Sequence, residues 1–440
     1  MGPNHILPLS QEANERLHRL IPGGAHTYAK GSDQYPEELA PVIERGRGAH
    51  VWDIDGNEYI EYGAGLRSVS LGHAHPRVLE AVHTEIEKGA NFVRPSIMEA
   101  EAAERFLATV PTAEMVKFAK NGSDATTAAV RLARAATGRP LVAICHDHAF
   151  FSTDDWFIGT TPMSAGIPGK TTDLTISFPY GDLEATDEVL RLHEGKVACL
   201  ILEAATQQEP PPGYLAGLRQ LADKHGCLLI FDEMITGFRW SEAGAQGMYG
   251  VTPDLSTFGK ALGNGFAVSA LAGKREFMEL GGLRDDRERV FLLSTTHGAE
   301  THSLAAAMAV MDTYVEEGIA DRLHALGDRL AAGVREVAAG IGVGDHVLVR
   351  GRASNLVFAT LDEEFKPSQP YRTLFLRELI TGGVIGPSFV VSSALTDEDI
   401  DKTIDVVAQA CMVYRKALDS GDPTQWMGGR PVKPVFRKYA

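Results

Sequence analysis

Gly226-Cys-Leu-Leu-Ile-Phe-Asp232-Glu233-Met-Ile-Thr-Gly-Phe-Arg239 is followed, after a short interval, by Leu255-Ser-Thr-Phe-Gly-Lys260-Ala-Leu-Gly-Asn-Gly265. Cys227–Phe231 is an unbroken apolar run of strand length, the pattern of a parallel strand buried on both faces. It stops on Asp232 and Glu233, which places two carboxylates at the carboxyl end of that strand, the edge where open α/β sheets bind ligands. The second segment ends on Lys260 and opens into a glycine-rich turn. A strand-end acid beside a strand-end lysine meets the two demands of pyridoxal phosphate, an amine for its aldehyde and an acid for its ring nitrogen. The same residues, taken singly, are also compatible with a helix cap and an exposed lysine.

The bulk of the chain narrows the classes. Its 440 residues are 44% hydrophobic and 23% charged, enough for a large core and for one large domain with smaller ones beside it. A formal charge of -16 argues against nucleic acid and anionic membranes as partners. A small anionic cofactor stays compatible, because helix N-termini and loop amides bind phosphate locally. Cys145, Cys199, Cys227 and Cys411 are scattered, two of them inside apolar runs, and read as buried thiols of a reducing compartment. No apolar run reaches membrane-spanning length and no secretory signal is visible, so a cytoplasmic location is expected.

Working outward, strands and helices alternate from about residue 115 to 275, which predicts a doubly wound, mainly parallel sheet. Met115–Lys120 reads as a strand, Asn121-Gly122-Ser123-Asp124 as a turn, and Ala125–Thr137 as an alanine-rich helix. That turn has the outline of a phosphate cradle, although Ser and Asp are also ordinary caps. Leu141–Cys145 delivers Phe150 and Phe151, where one ring can lie on a flat cofactor or both can be core. Lys196–Leu202 ends on Glu203, and Tyr214–His225 reads as the crossover helix. Near the N-terminus, Gln11–Leu20 reads as an amphipathic helix and Val51–Tyr62 as a hairpin turning at Asp55-Gly56-Asn57. The pairs His73/His75 and His146/His148 have no third ligand at regular spacing and read as turn or substrate-lining residues. Beyond residue 319, strand-like stretches in 347–362 and 382–393 and helices over 323–338 and 397–416 suggest a smaller α+β domain.

Taken in order, Asn121-Gly-Ser-Asp-Ala, the aromatic at Phe150, Glu203, Asp232-Glu-Met-Ile-Thr-Gly-Phe-Arg239 and Gly259-Lys-Ala-Leu-Gly-Asn-Gly265 resemble the class III aminotransferases of fold type I. Ile21-Pro-Gly-Gly, the hairpin, Leu71-Gly-His-Ala-His-Pro76 and Ala394–Ile404 extend the resemblance over nearly the whole chain, closest to the glutamate-1-semialdehyde aminomutase branch. It implies a large pyridoxal-phosphate-binding domain over 66–318, with 1–65 and 319–440 forming the small domain. It also implies Lys260 as the Schiff-base lysine, Asp232 as the partner of the ring nitrogen, Gly122 and Ser123 in the phosphate loop, and Phe150 stacked on the ring. Met234 would pack the other ring face, and Glu203 matches the acid of a Glu-Pro pair, here Glu203-Ala204. In Ser294-Thr-Thr-His-Gly298, Thr295, with Thr296 as fallback, would reach the phosphate of a neighbouring subunit, which makes a homodimer with shared sites.

Two departures bear on substrate. Lys30 stands where the aminomutases have an arginine for the substrate carboxylate, and Leu66-Arg67-Ser68 stands where they have a tryptophan followed by Gly-Pro. Lys30 and Arg67 are therefore the substrate-side candidates, and the lid around 158–168 looks short. The resulting expectation is an aminotransferase moving an amino group between a small-molecule donor and an aldehyde or ketone acceptor, in sugar or natural-product metabolism. The alternative is a glutamate-1-semialdehyde 2,1-aminomutase; in another class, a silent fold-type-I binding or regulatory protein. A nicotinamide oxidoreductase lacks its glycine fingerprint here, and no metal is expected.

Overall fold

The computed structural model describes residues 7–148 and 150–439. They divide into two compact units: one holds the residues up to Leu66 with Ser70–His75 and Arg322–Arg437, the other Arg67–Val69, Pro76–Asp321 and the residues from Lys438.

The second unit is built on a seven-stranded sheet: β1 (Met115–Ala119), β2 (Leu141–Cys145), β3 (Thr175–Phe178), β4 (Val197–Leu202), β5 (Leu228–Asp232), β6 (Leu255–Phe258) and β7 (Ser269–Gly273). Their spatial order is β1-β7-β6-β5-β4-β2-β3. The pairs β2/β3, β2/β4, β4/β5 and β5/β6 are parallel, whereas β7 runs antiparallel to both β6 and β1. The sheet is thus mixed, with one reversed strand that the alternation of elements did not reveal. β7 follows β6 through a short glycine-rich connection, Gly259–Val268, which returns the chain directly instead of carrying it through a crossover helix.

Side-chain alternation explains why the strands read as continuous apolar runs. Leu228 and Ile230 of β5 face a core shared with Ala125, Ala129 and Leu132 of helix Gly122–Thr137. Leu229 and Phe231, one residue out of phase, face a second core shared with Leu218 and Ala222 of helix Tyr214–His225. Helices cover both faces, so every strand position is worth burying; truncating a residue such as Leu229, fully buried, to Ala costs about 2–5 kcal/mol. The five strands that carry the site residues share one direction, so Asn121-Gly122, His148, Glu203, Asp232 and Lys260 all emerge at the same carboxyl edge.

Within the first unit, Ile43–Arg47, His50–Asp53 and Glu58–Glu61 form an antiparallel meander, to which Val384–Ile385 adds a parallel strand. The hairpin falls where the sequence puts it, and Asp55 from its turn accepts from Leu9 and Ser10 N–H (2.7 and 2.9 Å), capping helix Pro8–Leu20. Helix Gln369–Thr381 was not foreseen. Its Tyr371, Thr373, Leu374, Phe375, Leu376, Leu379 and Ile380 are buried almost all round, so no polar stripe marks it in the sequence. The strand expected over 382–393 shrinks to Val384–Ile385, since Pro387 has no N–H to continue a ladder.

Candidate active site

Asp232 is the best-defined feature at the sheet edge. It is buried, and its Oδ1 accepts from Met234 N–H at 3.0 Å and from Thr257 Oγ1 at 2.9 Å. Oδ2 has no protein donor among the described residues, so one oxygen is fixed and the other is left for a ligand N–H. Burial pushes its pKa from an ordinary 3.8 up to about 6, against the pull of Lys260 and the two hydrogen bonds. Its neighbour Glu233 is fully buried but differently employed: it accepts from Thr236, the Ala245 and Gln246 amides and the Gln246 side chain, and so anchors the loop after β5.

Lys260 follows Gly259 with φ of +47°, a left-handed conformation that a lysine adopts only when its surroundings impose it. Its ammonium makes no hydrogen bond or ion pair among the described residues, and desolvation lowers its pKa against the attraction of Asp232 and Glu203. A lysine biased towards the neutral amine is the form that attacks a carbonyl. Glu203 is buried at the end of β4, and burial together with Asp232 raises its pKa while Lys260 and Arg67 oppose the rise. Its backbone N–H donates to His148 Nδ1 at 3.0 Å. His148 is itself buried and held neutral, its pKa lowered to about 4 by desolvation.

Helix Gly122–Thr137 starts at Gly122, not at Ala125 as the sequence suggests. Gly122 and Ser123 are therefore its first turn, capped by Asn121 and by the Asp124 carboxylate on Asn121 N–H (2.9 Å). The end of this helix carries free N–H groups and partial positive charge, the standard receptor for a phosphate. Ser123 Oγ accepts from Thr153 N–H at 3.0 Å and keeps its own proton to donate. Met234 is nearly buried against Gly122 and Gly259: a Cβ on either glycine would come within 3.0 and 2.7 Å of its Sδ. Of the two phenylalanines, Phe151 is core (2% exposed), whereas Phe150 is 41% exposed with its ring edge-on to Phe157.

Arg67 stands at the end of a turn in which Ala64, Gly65, Leu66 and Arg67 have φ of 43°, 57°, 60° and 71°. Each of the three non-glycine residues pays about 1–2 kcal/mol for this left-handed backbone. Arg239, fully buried, donates from Nη2 to the Arg67 carbonyl at 2.9 Å and holds the turn. Arg67 interacts electrostatically with Glu203 and Lys260 and so belongs to this cluster. Arg239 and Thr257 are the contributors that sequence reading missed; His148, singled out with His146 as a turn or substrate-lining residue, is instead buried beside Glu203. An arginine inside the apolar Gly237-Phe-Arg-Trp240 turn was the available signal, because a buried guanidinium needs partners.

Thr295 lines a cavity of about 400 Å³ with Glu99, Val116, Lys117 and Phe118, and Thr296 offers its carbonyl to Asn91 Nδ2 at 3.0 Å; both are exposed. Lys30, exposed, closes the short helix Tyr28–Lys30 of the other unit. His73 hydrogen-bonds Glu61 at 3.2 Å.

A buried amine, a carboxylate with one open oxygen, a glycine-started helix and an exposed aromatic together fit pyridoxal phosphate. The chain belongs to the aminotransferase class-III family, whose profile matches residues 31–410. It is an enzyme of the pyridoxal-phosphate-dependent transferase or mutase type, and its cofactor is pyridoxal 5′-phosphate. Similar proteins include a glutamate-1-semialdehyde 2,1-aminomutase of Desulfitobacterium hafniense, 34% identical over 90% of this chain and 96% of the relative. One of the same name from Syntrophobacter fumaroxidans is 33% identical over 89% and 94%. Among solved structures, an omega-transaminase from Sphaerobacter thermophilus superposes with a TM-score of 0.83 at 26% identity, covering 92% of this chain and 98% of that one. A glutamate-1-semialdehyde aminomutase from Pseudomonas aeruginosa shares the fold, with a TM-score of 0.81 at 21% identity over 93% and 95%. These relatives lend no support to a setting in sugar or natural-product metabolism.

Proposed function

We propose that the chain shifts an amino group within one small carboxylate-bearing compound, as a glutamate-1-semialdehyde-type 2,1-aminomutase. The amino chemistry rests on one observation, the buried Lys260 amine without a hydrogen bond beside Asp232 and its open Oδ2. The mutase form is supported by the relatives of that name at 33–34% identity over about nine-tenths of the chain. Pyridoxal phosphate supplies an aldehyde conjugated to an electron-withdrawing ring. Gly122 and Ser123 would hold its phosphate, Asp232 its ring nitrogen as a charge-assisted pair, and Phe150 and Met234 its two ring faces, with Glu203 beside them. Lys260 Nζ then serves as the base that takes and returns the proton at the substrate carbon.

Several further assignments go with this reading. The cofactor domain is 66–318 in this reading, except that Ser70–His75 packs with the unit formed by the N- and C-terminal segments. Thr295, with Thr296 as the fallback, serves the phosphate of a second copy, which makes the homodimer the working unit; its exposure and its place in another cavity fit that role. Lys30 and Arg67 lie on the substrate side. Four buried free thiols fit a cytoplasmic setting.

A second reading, transamination between separate donor and acceptor, is favoured by Lys30, a point charge where a bidentate arginine would grip the substrate carboxylate. A weaker grip releases the intermediate and makes a second substrate necessary. Incubating pure holoenzyme with glutamate-1-semialdehyde alone separates the two. Sustained formation of 5-aminolevulinate supports the mutase; turnover only when donor and acceptor are both added selects the transaminase. A cofactor spectrum that no amine changes would sink both.

A further inference from the structure

We propose that Arg67, and not Lys30, receives the carboxylate of the amino substrate and thereby makes the enzyme choose amino acids over simple amines. The inference rests on the amino-transfer reading and adds the residue that sets its substrate class.

Four observations converge on Arg67. It lies in the same unit as Lys260 and interacts electrostatically with both Lys260 and Glu203. Its backbone is held in a left-handed turn, pinned by the Arg239 hydrogen bond to its carbonyl and by Glu61 Oε1 accepting from Gly65 N–H at 3.3 Å. A residue kept in so unfavourable a backbone conformation points to a required side-chain direction. Arg239 is fully buried and has an Nη donor committed to the turn, whereas Arg67 is only half-buried. Of these two arginines, Arg67 is the one a substrate can reach.

Charge balance gives the sign of the ligand. Asp232, Glu203, Arg67 and Arg239 all act electrostatically on Lys260, while Glu233 is saturated by its own loop. Asp232 is reserved for the ring nitrogen, Lys260 is biased towards the neutral amine and burial raises the Glu203 pKa, so the guanidinium groups make the substrate side cationic. A guanidinium offers paired N–H donors that match a carboxylate, which the exposed ammonium of Lys30 does not.

The test compares 4-aminobutanoate with n-butylamine, which differ by one carboxylate, by following the holoenzyme's cofactor spectrum as each amine reacts. The readout is the ratio of second-order rate constants, acid over amine. Wild type should favour the acid. Arg67→Met should lower the ratio about tenfold to a hundredfold, the loss expected for a charge-assisted contact, and Arg67→Lys should restore part of it. Binding of succinate, measured by calorimetry, should weaken in parallel in Arg67→Met. An equal fall for both amines, no preference in wild type, or a ratio that responds to Lys30→Met and not to Arg67→Met would overturn the assignment. If neither amine reacts with wild type, turnover of glutamate-1-semialdehyde decides the amino-transfer reading, and succinate binding that is equal in wild type and Arg67→Met overturns the assignment of Arg67.

Discussion

Replacing Asp232 by Asn should make the cofactor-free protein more stable and the enzyme nearly inactive. Asp232 is buried, and its pKa rises from about 3.8 to about 6 on folding. Native protein therefore binds more protons than unfolded chain between those pH values, and stability falls as pH rises through the window. About two pKa units correspond to about 3 kcal/mol once the pH exceeds 6, of which about 1 kcal/mol has appeared by pH 4.5. Asn keeps Oδ1 for Met234 N–H and Thr257 Oγ1 and carries no charge to desolvate. The gain of the variant should accordingly grow by about 2 kcal/mol between pH 4.5 and pH 8, less whatever Lys260 returns when it loses its carboxylate neighbour. In the holoenzyme the sign reverses, because the amide presents N–H donors where a protonated ring nitrogen needs an acceptor. Denaturant titrations of apo wild type and Asp232→Asn at the two pH values, paired with turnover of the holo forms, measure both effects. An apo variant less stable than wild type at pH 8, or a gain that does not vary with pH, would refute the reasoning. Normal turnover would remove Asp232 from the ring nitrogen.

Borohydride treatment of the holoenzyme should fix the cofactor on the peptide that contains Lys260, and Lys260→Ala should bind cofactor without turning over; peptide mapping that finds another lysine would reject the assignment. His148, held neutral with a pKa near 4, makes the native state lose stability as pH falls below 6.5, by about 2 kcal/mol at pH 5. His148→Gln should flatten that slope in thermal melts at pH 7 and pH 5. Mixing Lys260→Ala with Thr295→Ala subunits should recover activity, since one site of each heterodimer would then be intact; no recovery in verified heterodimers would deny the shared site.

The order of motifs was enough to reach the family, because it depends on chemistry that each strand end must supply: the acid at 232, the lysine at 260, the glycine and serine at 122–123. Five of the seven strands of the large sheet were legible as well, Thr175–Phe178 and Ser269–Gly273 being the two that were not. Burial on two faces removes alternation and leaves short apolar runs such as Cys227–Phe231, whose length is that of a strand. Helix Gln369–Thr381 was invisible for the opposite reason, since a helix buried nearly all round has no stripe. Other properties arise only between distant residues. The reversal of β7 has a local trace in the short connection Gly259–Val268, but its pairing with β1, more than a hundred residues earlier, has none. The separation of roles between adjacent Asp232 and Glu233 comes from Thr257 on one side and the Ala245–Gln246 loop on the other. The four left-handed residues at 64–67 include a single glycine, so the sequence gives little sign of a conformation that Glu61 supports locally and Arg239 from far along the chain. Sequence specified which groups the chemistry needs; tertiary packing decided their charge states and the direction each one faces, because desolvation and hydrogen bonding are properties of the neighbours a side chain acquires on folding.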